Sequence, residues 1–226
     1  MAPKLEIACF NLESVRIAAN SGADRIEFCH ELELGGISPS FEDVKQITQF
    51  LKIPLYIMIR PRGGNFVYSP SEFDQMKMEI EHFKSLNVDG FVFGILEADH
   101  SIDVKKNADL IALASPLPCT FHRAFDQTKN LSKSLESLIE CGFSTLLTSA
   151  GEANVVNGVE GLRNLIELAK NRIQIMPGGG VRSGNIEQLI KSCSASFYHS
   201  SAIVDDSDIA DANEIKSLKH ILMDLS

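Results

Sequence analysis

Two histidines stand where a predicted strand ends and could exchange protons with a bound molecule. His122 follows the apolar run Leu117–Phe121, and His199 ends the run Ser196–His199. An unperturbed imidazole has a pKa of about 6.5, which suits it to proton transfer near neutral pH. We take His122 as the first candidate, with Asp126 as a carboxylate that could orient its ring. A histidine that serves only the fold is the alternative for each.

Two glutamates lie in the middle of the first two predicted strands, Leu5–Cys9 and Arg25–Cys29. A carboxylate in so apolar a strand costs free energy unless it is paired or has a chemical role. Alternate residues of a strand share a face, so Glu27 lies on the face of Cys29. Glu6 and Glu27 are therefore either catalytic carboxylates or members of buried ion pairs with a neighbouring arginine.

Arginines also gather just beyond predicted strands, although the chain as a whole is acidic. They are Arg60, Arg62, Arg123 and Arg182. A guanidinium group forms paired, charge-assisted hydrogen bonds with carboxylate and phosphate groups. We expect these side chains to hold a small anion, and Arg60, Arg62 and Arg123 to stabilise charge in any reaction.

A glycine-rich turn follows the seventh predicted strand and offers a second way to hold an anion. Its residues, with the neighbouring polar side chains assigned to the same site, are Gly178, Gly179, Gly180, Arg182 and Ser200. Glycines let backbone N–H groups approach a ligand, and a helix predicted from Gly184 would add partial positive charge. The alternative is a tight turn between a strand and a helix, with no ligand.

These residues need a scaffold that brings the ends of distant strands together. Eight strand-like runs alternate with eight helical ones at about 28 residues per unit. This alternation predicts parallel strands with right-handed crossovers and a single α/β domain over 1–226, a (β/α)8 TIM barrel. An open doubly wound sheet is the competing fold, but its glycine-rich phosphate turn normally comes early in the chain. In a barrel, all strand ends meet at one mouth.

Composition narrows the classes of partner. The formal net charge of −9 argues against nucleic acid and anionic membrane surfaces as partners. No apolar run approaches the roughly 18–20 residues that span a bilayer. The five cysteines are widely spaced and form no Cys-x-x-Cys pair. We therefore expect reduced thiols and a cytoplasmic location.

Several segments together resemble the CutC copper-homeostasis family. The most specific are Gly22-Ala-Asp-Arg-Ile-Glu27, Met58-Ile-Arg-Pro-Arg-Gly-Gly64, Thr120-Phe-His-Arg-Ala-Phe-Asp126, Met176-Pro-Gly-Gly-Gly180 and His199-Ser-Ser-Ala202. Similar segments run through almost the whole chain. The resemblance implies a TIM barrel in the cytoplasm, a role in copper tolerance, Cu(I) binding and a homodimer.

The cysteines bear on the copper expectation. Within the resemblance, Cys29 matches a family cysteine linked to copper, and a soft thiolate suits Cu(I). Where the family commonly has a second cysteine, two residues after the first-strand glutamate, this chain has Ala8. Cys9 is one residue later, and that shift turns a strand side chain to the other face. Cys29 is thus the expected metal ligand.

Three functions remain open. The family resemblance implies a copper-handling protein with Cu(I) at the mouth of the barrel. The arginines, carboxylates and glycine turn favour an enzyme that uses acid–base chemistry on a small phosphorylated or carboxylated metabolite. A binding module for a small anion, without turnover, would keep the anion site but would not need the two strand carboxylates.

Overall fold

A computed structural model describes residues 2–225; the ends of the predicted domain, Met1 and Ser226, lie outside the described residues. Eight strands lie within that range: β1 Lys4–Cys9, β2 Arg25–Phe28, β3 Leu55–Met58, β4 Gly90–Phe93, β5 Cys119–Phe121, β6 Thr145–Thr148, β7 Gln174–Pro177 and β8 Phe197–Ser200. They alternate with helices α1 Leu12–Ser21, α2 Phe41–Thr48, α3 Pro70–Lys84, α4 Val104–Ala114, α5 Leu131–Cys141, α6 Val159–Ala169, α7 Ile186–Ser192 and α8 Ala212–Asp224. None of the described helices is both long and apolar enough to cross a membrane.

The strands form one sheet that curls into a nearly closed barrel. Its hydrogen-bonded order is β7-β6-β5-β4-β3-β2-β1-β8, and every recorded pair is parallel. The outer strands of that order, β7 and β8, lie beside each other. The predicted (β/α)8 TIM barrel is confirmed. Its register sets Glu6 beside both Arg25 and His199, although these residues are far apart in sequence.

Polar side chains at the helix starts explain why several boundaries were predictable. Asn11 accepts a hydrogen bond from the Ser14 N–H at 2.8 Å and begins α1. Ser69 begins α3 as part of a capping box, in which Glu72 bonds back to the Ser69 N–H. Such caps satisfy N–H groups that have no partner inside the helix.

Strand side chains alternate between two apolar layers. The main core lies between the strands and the helices and includes Cys9. A smaller inner cluster contains Cys29, Tyr56, Met58 and Val92. Cys9 and Cys29 therefore lie in different layers, as the strand period predicts. The inner layer leads to the mouth of the barrel.

The packing of α6 against the end of β6 can be tested with two glycines. A Cβ atom at Gly158 would lie 1.9 Å from the Ser149 carbonyl oxygen, whereas one at Gly184 would have no heavy atom within 4 Å. We expect Gly158→Ala to lower the free energy of unfolding by about 1–3 kcal/mol, as overpacking does. Gly184→Ala should change it by less than about 0.5 kcal/mol. Urea unfolding measures both, and equal stabilities would contradict the packing described.

Candidate functional site

A cavity of about 210 Å³ opens at the carboxyl ends of the strands. Its polar wall consists of Glu27, Cys29, Arg60, His122, Arg123, Gly179, Gly180, Arg182, His199, Ser200 and Ser201. Its apolar wall includes Ala8, Phe10, Met58, Phe66 and Leu147. Most of the predicted site residues are thus brought together. The predicted residues that do not line the cavity are Glu6, Arg62, Asp126 and Gly178.

Glu6 lies beneath the cavity in a buried ion pair. The Arg25 Nε donates to one carboxylate oxygen of Glu6, and the His199 Nδ1 lies 2.7 Å from the other. Burial alone would raise the pKa of Glu6, but Arg25 and His199 outweigh it, and the net pKa is lowered. Glu6 is therefore an ionised, paired carboxylate, as in the ion-pair alternative for the strand glutamates.

Arg25 is a residue of this site that sequence reasoning missed. Its guanidinium is stacked between two rings, 4.2 Å from the centroid of Tyr56 and 4.4 Å from that of Phe197. The alternation of side chains along a strand could have indicated Arg25, because Arg25, Glu27 and Cys29 occupy alternate positions and so share one face.

Glu27 differs from Glu6 because its carboxyl group is poorly paired. The residue is 3% exposed, and its Oε2 has no hydrogen-bond partner among the described residues. Burial, with a further contribution from Glu6, raises the pKa of Glu27 to about 7 against the lowering effects of His199 and Arg25. A carboxyl group with that pKa can both take and return a proton at neutral pH.

His199 is bonded to Glu6 and lies close to Glu27. Burial by itself would lower the pKa of His199, but the carboxylates of Glu27 and Glu6 outweigh it, and the pKa is raised. Glu6, Glu27 and His199, here called the Glu–His cluster, each offer a ligand atom within 4.8 Å of the others. Two of the three are already bonded to each other.

His122 does not behave as its sequence context suggested. Its ring lies against Phe66, with the centroids 4.8 Å apart, and its Nδ1 accepts from the Ala124 N–H at 3.3 Å. Burial and then the charge of Arg60 lower the pKa of His122 to about 3. The expectation of proton exchange near pH 6.5 is therefore wrong for this residue. His122 is a neutral imidazole, with its proton on Nε2, which has no partner in the described chain.

Asp126 does not orient His122, so that prediction is wrong. Its carboxylate accepts from the Arg123 Nε at 2.8 Å, from the Gly151 N–H at 3.0 Å, and from the Thr148 hydroxyl. Asp126 also accepts from the Ser149 N–H at 3.2 Å. These bonds tie the loop after β6 to Arg123, which is a structural role beside the cavity.

Two arginines at the cavity lack a carboxylate partner. Arg60 is 5% exposed and donates to the carbonyl oxygens of Leu34, Gly36 and Gly64 at 2.8, 2.9 and 3.0 Å. Arg182 donates to the Ile203 carbonyl at 2.9 Å and to hydroxyl and carbonyl oxygens nearby. Within residues 2–225, neither has a salt bridge to a carboxylate. Both guanidinium groups at the wall thus have no directly bonded carboxylate, although the charge of Glu214 acts on Arg182.

The other two predicted arginines differ from each other. Arg62 pairs with Glu72 at 2.6 Å and donates to the Val67 carbonyl at 2.8 Å, away from the cavity. Its predicted contact with the bound anion is wrong, because Arg62 instead fixes its loop to the start of α3. Arg123 lines the cavity, but its Nε is bonded to Asp126 and its Nη2 to the Ser149 hydroxyl at 2.8 Å.

Gly179 and Gly180 of the glycine turn line the cavity, and the prediction for the turn needs two corrections. The Gly178 N–H donates to the Thr148 carbonyl at 3.0 Å, so it is not available to an anion. Gly179 and Gly180 have φ of 96° and 88°, and among the described residues their N–H groups have no acceptor. The helix α7 begins at Ile186, two residues later than predicted.

Serine hydroxyls complete that side of the wall. Ser200 lines the cavity, but its hydroxyl already donates to the Val181 carbonyl at 2.7 Å and accepts from the Ala202 N–H at 3.0 Å. Ser201, which the sequence did not single out, accepts from the Arg182 Nη2 at 3.2 Å and also lines the cavity. Only its place after a strand could have indicated it.

The donors near the cavity are a poor match for Cu(I). Burial, then Glu27 and Cys9, raises the pKa of the Cys29 thiol well above its usual range, so the resting group is protonated. Met58 supplies a second sulfur on the same wall. The Glu–His cluster offers oxygen and nitrogen, which suit harder ions than Cu(I). The residues thus do not form a prepared Cu(I) site.

The fold and site define a class of protein: a (β/α)8 barrel with an arginine-lined cavity at the carboxyl ends of its strands, where proteins of this fold bind small molecules. A family model described as the CutC family matches residues 3–204. The chain belongs to the CutC family.

Curated relatives and a solved structure agree with this assignment. The chain is 41% identical over 198 residues to the copper homeostasis protein cutC homolog of Homo sapiens, covering 88% of this chain and 72% of that protein. It is 44% identical over 199 residues to a family protein CutC of Proteus mirabilis, covering 88% and 79%. The crystal structure of a copper homeostasis protein CutC from Streptococcus agalactiae is 32% identical, with a TM-score of 0.84 over 88% of this chain and 98% of that one.

The pKa values of the two cavity histidines should be shifted in opposite directions from the ordinary value. We expect the His122 ring to stay neutral and protonated on Nε2 down to about pH 4, because its pKa is about 3. His199 should titrate above the ordinary value of about 6.5, because its pKa is raised. Nitrogen chemical shifts of ¹⁵N-labelled imidazoles measure both, with His122→Gln and His199→Gln for assignment. A His122 that gains its proton near pH 6 would contradict this description.

Proposed function

We propose that this CutC-family protein binds a small phosphorylated or carboxylated metabolite in the cavity and transfers a proton on it with Glu27. The observation that carries the proposal is the buried, unpartnered carboxyl group of Glu27 in a cavity that also holds two arginines without a salt bridge, Arg60 and Arg182. A buried charge without a partner is costly, and a bound anion would offset the cost at Arg60 and Arg182.

The cavity is large enough for a small organic molecule, which favours such a ligand over a bare ion. A single water molecule needs about 10–15 Å³ of cavity volume, and this cavity has about 210 Å³. Its wall combines apolar side chains with a few polar groups, which is the usual composition of small-molecule sites. A metabolite of several carbon atoms with one anionic group fits this description.

Glu27 is the proposed acid or base, and the rest of the Glu–His cluster sets its proton affinity. Glu6 is held ionised by Arg25, so its negative charge disfavours ionisation of Glu27. His199 acts in the opposite sense, because its cationic form favours the Glu27 carboxylate. The balance keeps both forms of Glu27 populated at neutral pH.

The anion site can be tested with inorganic phosphate. We expect phosphate to raise the midpoint of thermal unfolding of the wild-type protein, because it binds only the native state. Arg182→Ala should weaken phosphate binding by about 10- to 100-fold, which corresponds to the roughly 1.5–3 kcal/mol of a hydrogen bond to a charged group. Arg62→Ala is the matched control, since Arg62 lies away from the cavity and should leave the affinity unchanged.

Calorimetric titration of the same three proteins gives the dissociation constants. Phosphate soaked into crystals should lie at the N–H groups of Gly179 and Gly180. Equal losses in the Arg182 and Arg62 variants, or an anion bound elsewhere at the mouth, would contradict the proposed site.

Handling of Cu(I) is the second candidate function. It is supported by family membership and by two sulfur-containing side chains on the cavity wall. Cys29 and Met58 belong to one inner cluster, and both line the cavity, so a thiolate and a thioether are available on the same wall. Here copper would be cargo, bound once the thiol loses its proton.

Cysteine variants test this copper function. Competitive Cu(I) titration should show a large loss of affinity in Cys29→Ser and little change in Cys9→Ser, because the Cys9 side chain lies in the outer core. Both cysteines are buried, so the pair is matched for burial. A larger loss for Cys9→Ser would refute the assignment of Cys29.

The remaining family expectations belong to the same proposal. We place the protein in the cytoplasm, which agrees with five free, buried cysteines among the described residues. We propose a homodimer as the assembled form, and neither nucleic acid nor a membrane as partner, given the net charge of −9.

A further inference from the structure

Building on the proposed binding of an anionic metabolite, we infer that the substrate is a small phosphorylated aldehyde or ketone and that the protein moves a proton on the carbon next to its carbonyl group. Three features of the cavity carry this inference: an unpartnered neutral donor, an unpartnered carboxyl group, and a separate set of anion donors. Each occupies a different sector of the barrel mouth.

The neutral donor is His122. It is 4% exposed and lines the cavity, and its Nε2 has no partner among residues 2–225. Because Nδ1 accepts the Ala124 N–H, the ring proton lies on Nε2 and requires an oxygen from a ligand. A carbonyl oxygen is such an acceptor. Arg60, which like His122 contacts the Phe66 ring, adds positive charge where an enolate oxygen would form.

The carboxyl group is Glu27. In its ionised form it removes a proton from the carbon beside the carbonyl. The electron pair of that C–H bond forms a carbon–carbon double bond, and the π pair of the carbonyl moves to its oxygen. The resulting enolate accepts the His122 Nε2–H hydrogen bond, and protonated Glu27 then returns a proton to carbon. No oxidant or reductant is needed, and the reaction as written is an exchange of that carbon-bound proton.

The anion donors lie across the mouth. The free N–H groups of Gly179 and Gly180, with Ser201 and Arg182, follow β7 and β8, whereas His122 follows β5 and Arg60 follows β3. In the strand order, β2 with Glu27 lies between β8 and β3. Glu27 lines the same cavity from β2, which is opposite β6 in the ring of strands, so a substrate with its phosphate at β7 and β8 and its carbonyl at His122 would face Glu27 across the cavity. Donors spread over two loops suit the oxygens of a tetrahedral phosphate better than a planar carboxylate.

Solvent exchange of the substrate protons is the decisive measurement. We would screen three- to five-carbon phosphorylated aldehydes and ketones, beginning with dihydroxyacetone phosphate, for a rise in the thermal unfolding midpoint. Each compound that binds would then be incubated with the protein in deuterium oxide. Proton NMR should show loss of the C–H signal beside the carbonyl, and the same sugar without phosphate should exchange far more slowly.

Variants separate the chemical roles from folding. Glu27→Gln should lower the exchange rate by about 10²–10⁴-fold while binding is kept. His122→Phe keeps an aromatic ring but no donor and should lower it by about 10²–10³-fold. The His122→Gln variant, which retains an N–H group, should catalyse substrate exchange faster than the His122→Phe variant. A purely structural role of His122 would not produce this order. The Arg62→Ala variant, in which the changed residue lies away from the cavity, should catalyse substrate exchange at the wild-type rate.

The outcomes distinguish this inference from the function on which it rests. Binding of a panel compound without exchange in the wild-type protein would overturn proton transfer and leave a binding module. Binding of inorganic phosphate, but of no panel compound, would overturn the substrate class alone. Failure of phosphate itself to bind would remove the proposed anion site.

Discussion

The buried contact between Glu6 and Arg25 sets the electrostatics of the cavity. Removing one member of such a pair costs about 3–5 kcal/mol, because the other charge stays buried without a partner. Arg25 is held by two aromatic faces as well as by Glu6, so its position is determined by packing from β3 and β8. With Arg25 committed to Glu6, Glu27 on the same strand face has no arginine of its own. Burial, with a further contribution from the charge of Glu6, therefore raises the pKa of Glu27 despite the presence of Arg25.

The distribution of charge, and not its total, accounts for the binding properties of the mouth. The chain carries a formal net charge of −9, yet the wall of the cavity holds two arginines, Arg60 and Arg182, that form no salt bridge with a described carboxylate. The backbone carbonyls around Arg60 position its guanidinium without cancelling its charge. A low-dielectric wall with an uncompensated cation attracts an anion more strongly than the same group would at an open surface.

The fold was predictable because the information that specifies it is local. Alternating strands and helices, and caps such as Asn11 and Ser69, can be read within a few residues of sequence. Strand period also separated Cys29 from Cys9, since side-chain direction depends only on parity.

The properties that sequence reasoning got wrong depend on contacts between distant segments. The pKa of His122 follows from burial and from Arg60, which lies on another strand loop. Asp126 bonds to the loop after β6, and Arg62 to Glu72, neither of which spacing can indicate. Arg25 could have been found from its strand parity with Glu27. For Ser201 the only signal was its place directly after β8, and the closed barrel is what brings it to the cavity.

The copper and metabolite functions draw on the same positive charge. Among the groups around Cys29, Arg60 is the one that lowers the pKa of the thiol, against burial and the neighbouring carboxylates. An anion bound at Arg60 would neutralise that effect and disfavour the thiolate that Cu(I) requires. In both proposed functions the ligand would occupy the same cavity, so an anion and copper would compete for it. Because the thiol is protonated at rest while Arg60 is charged, the empty cavity favours the anion.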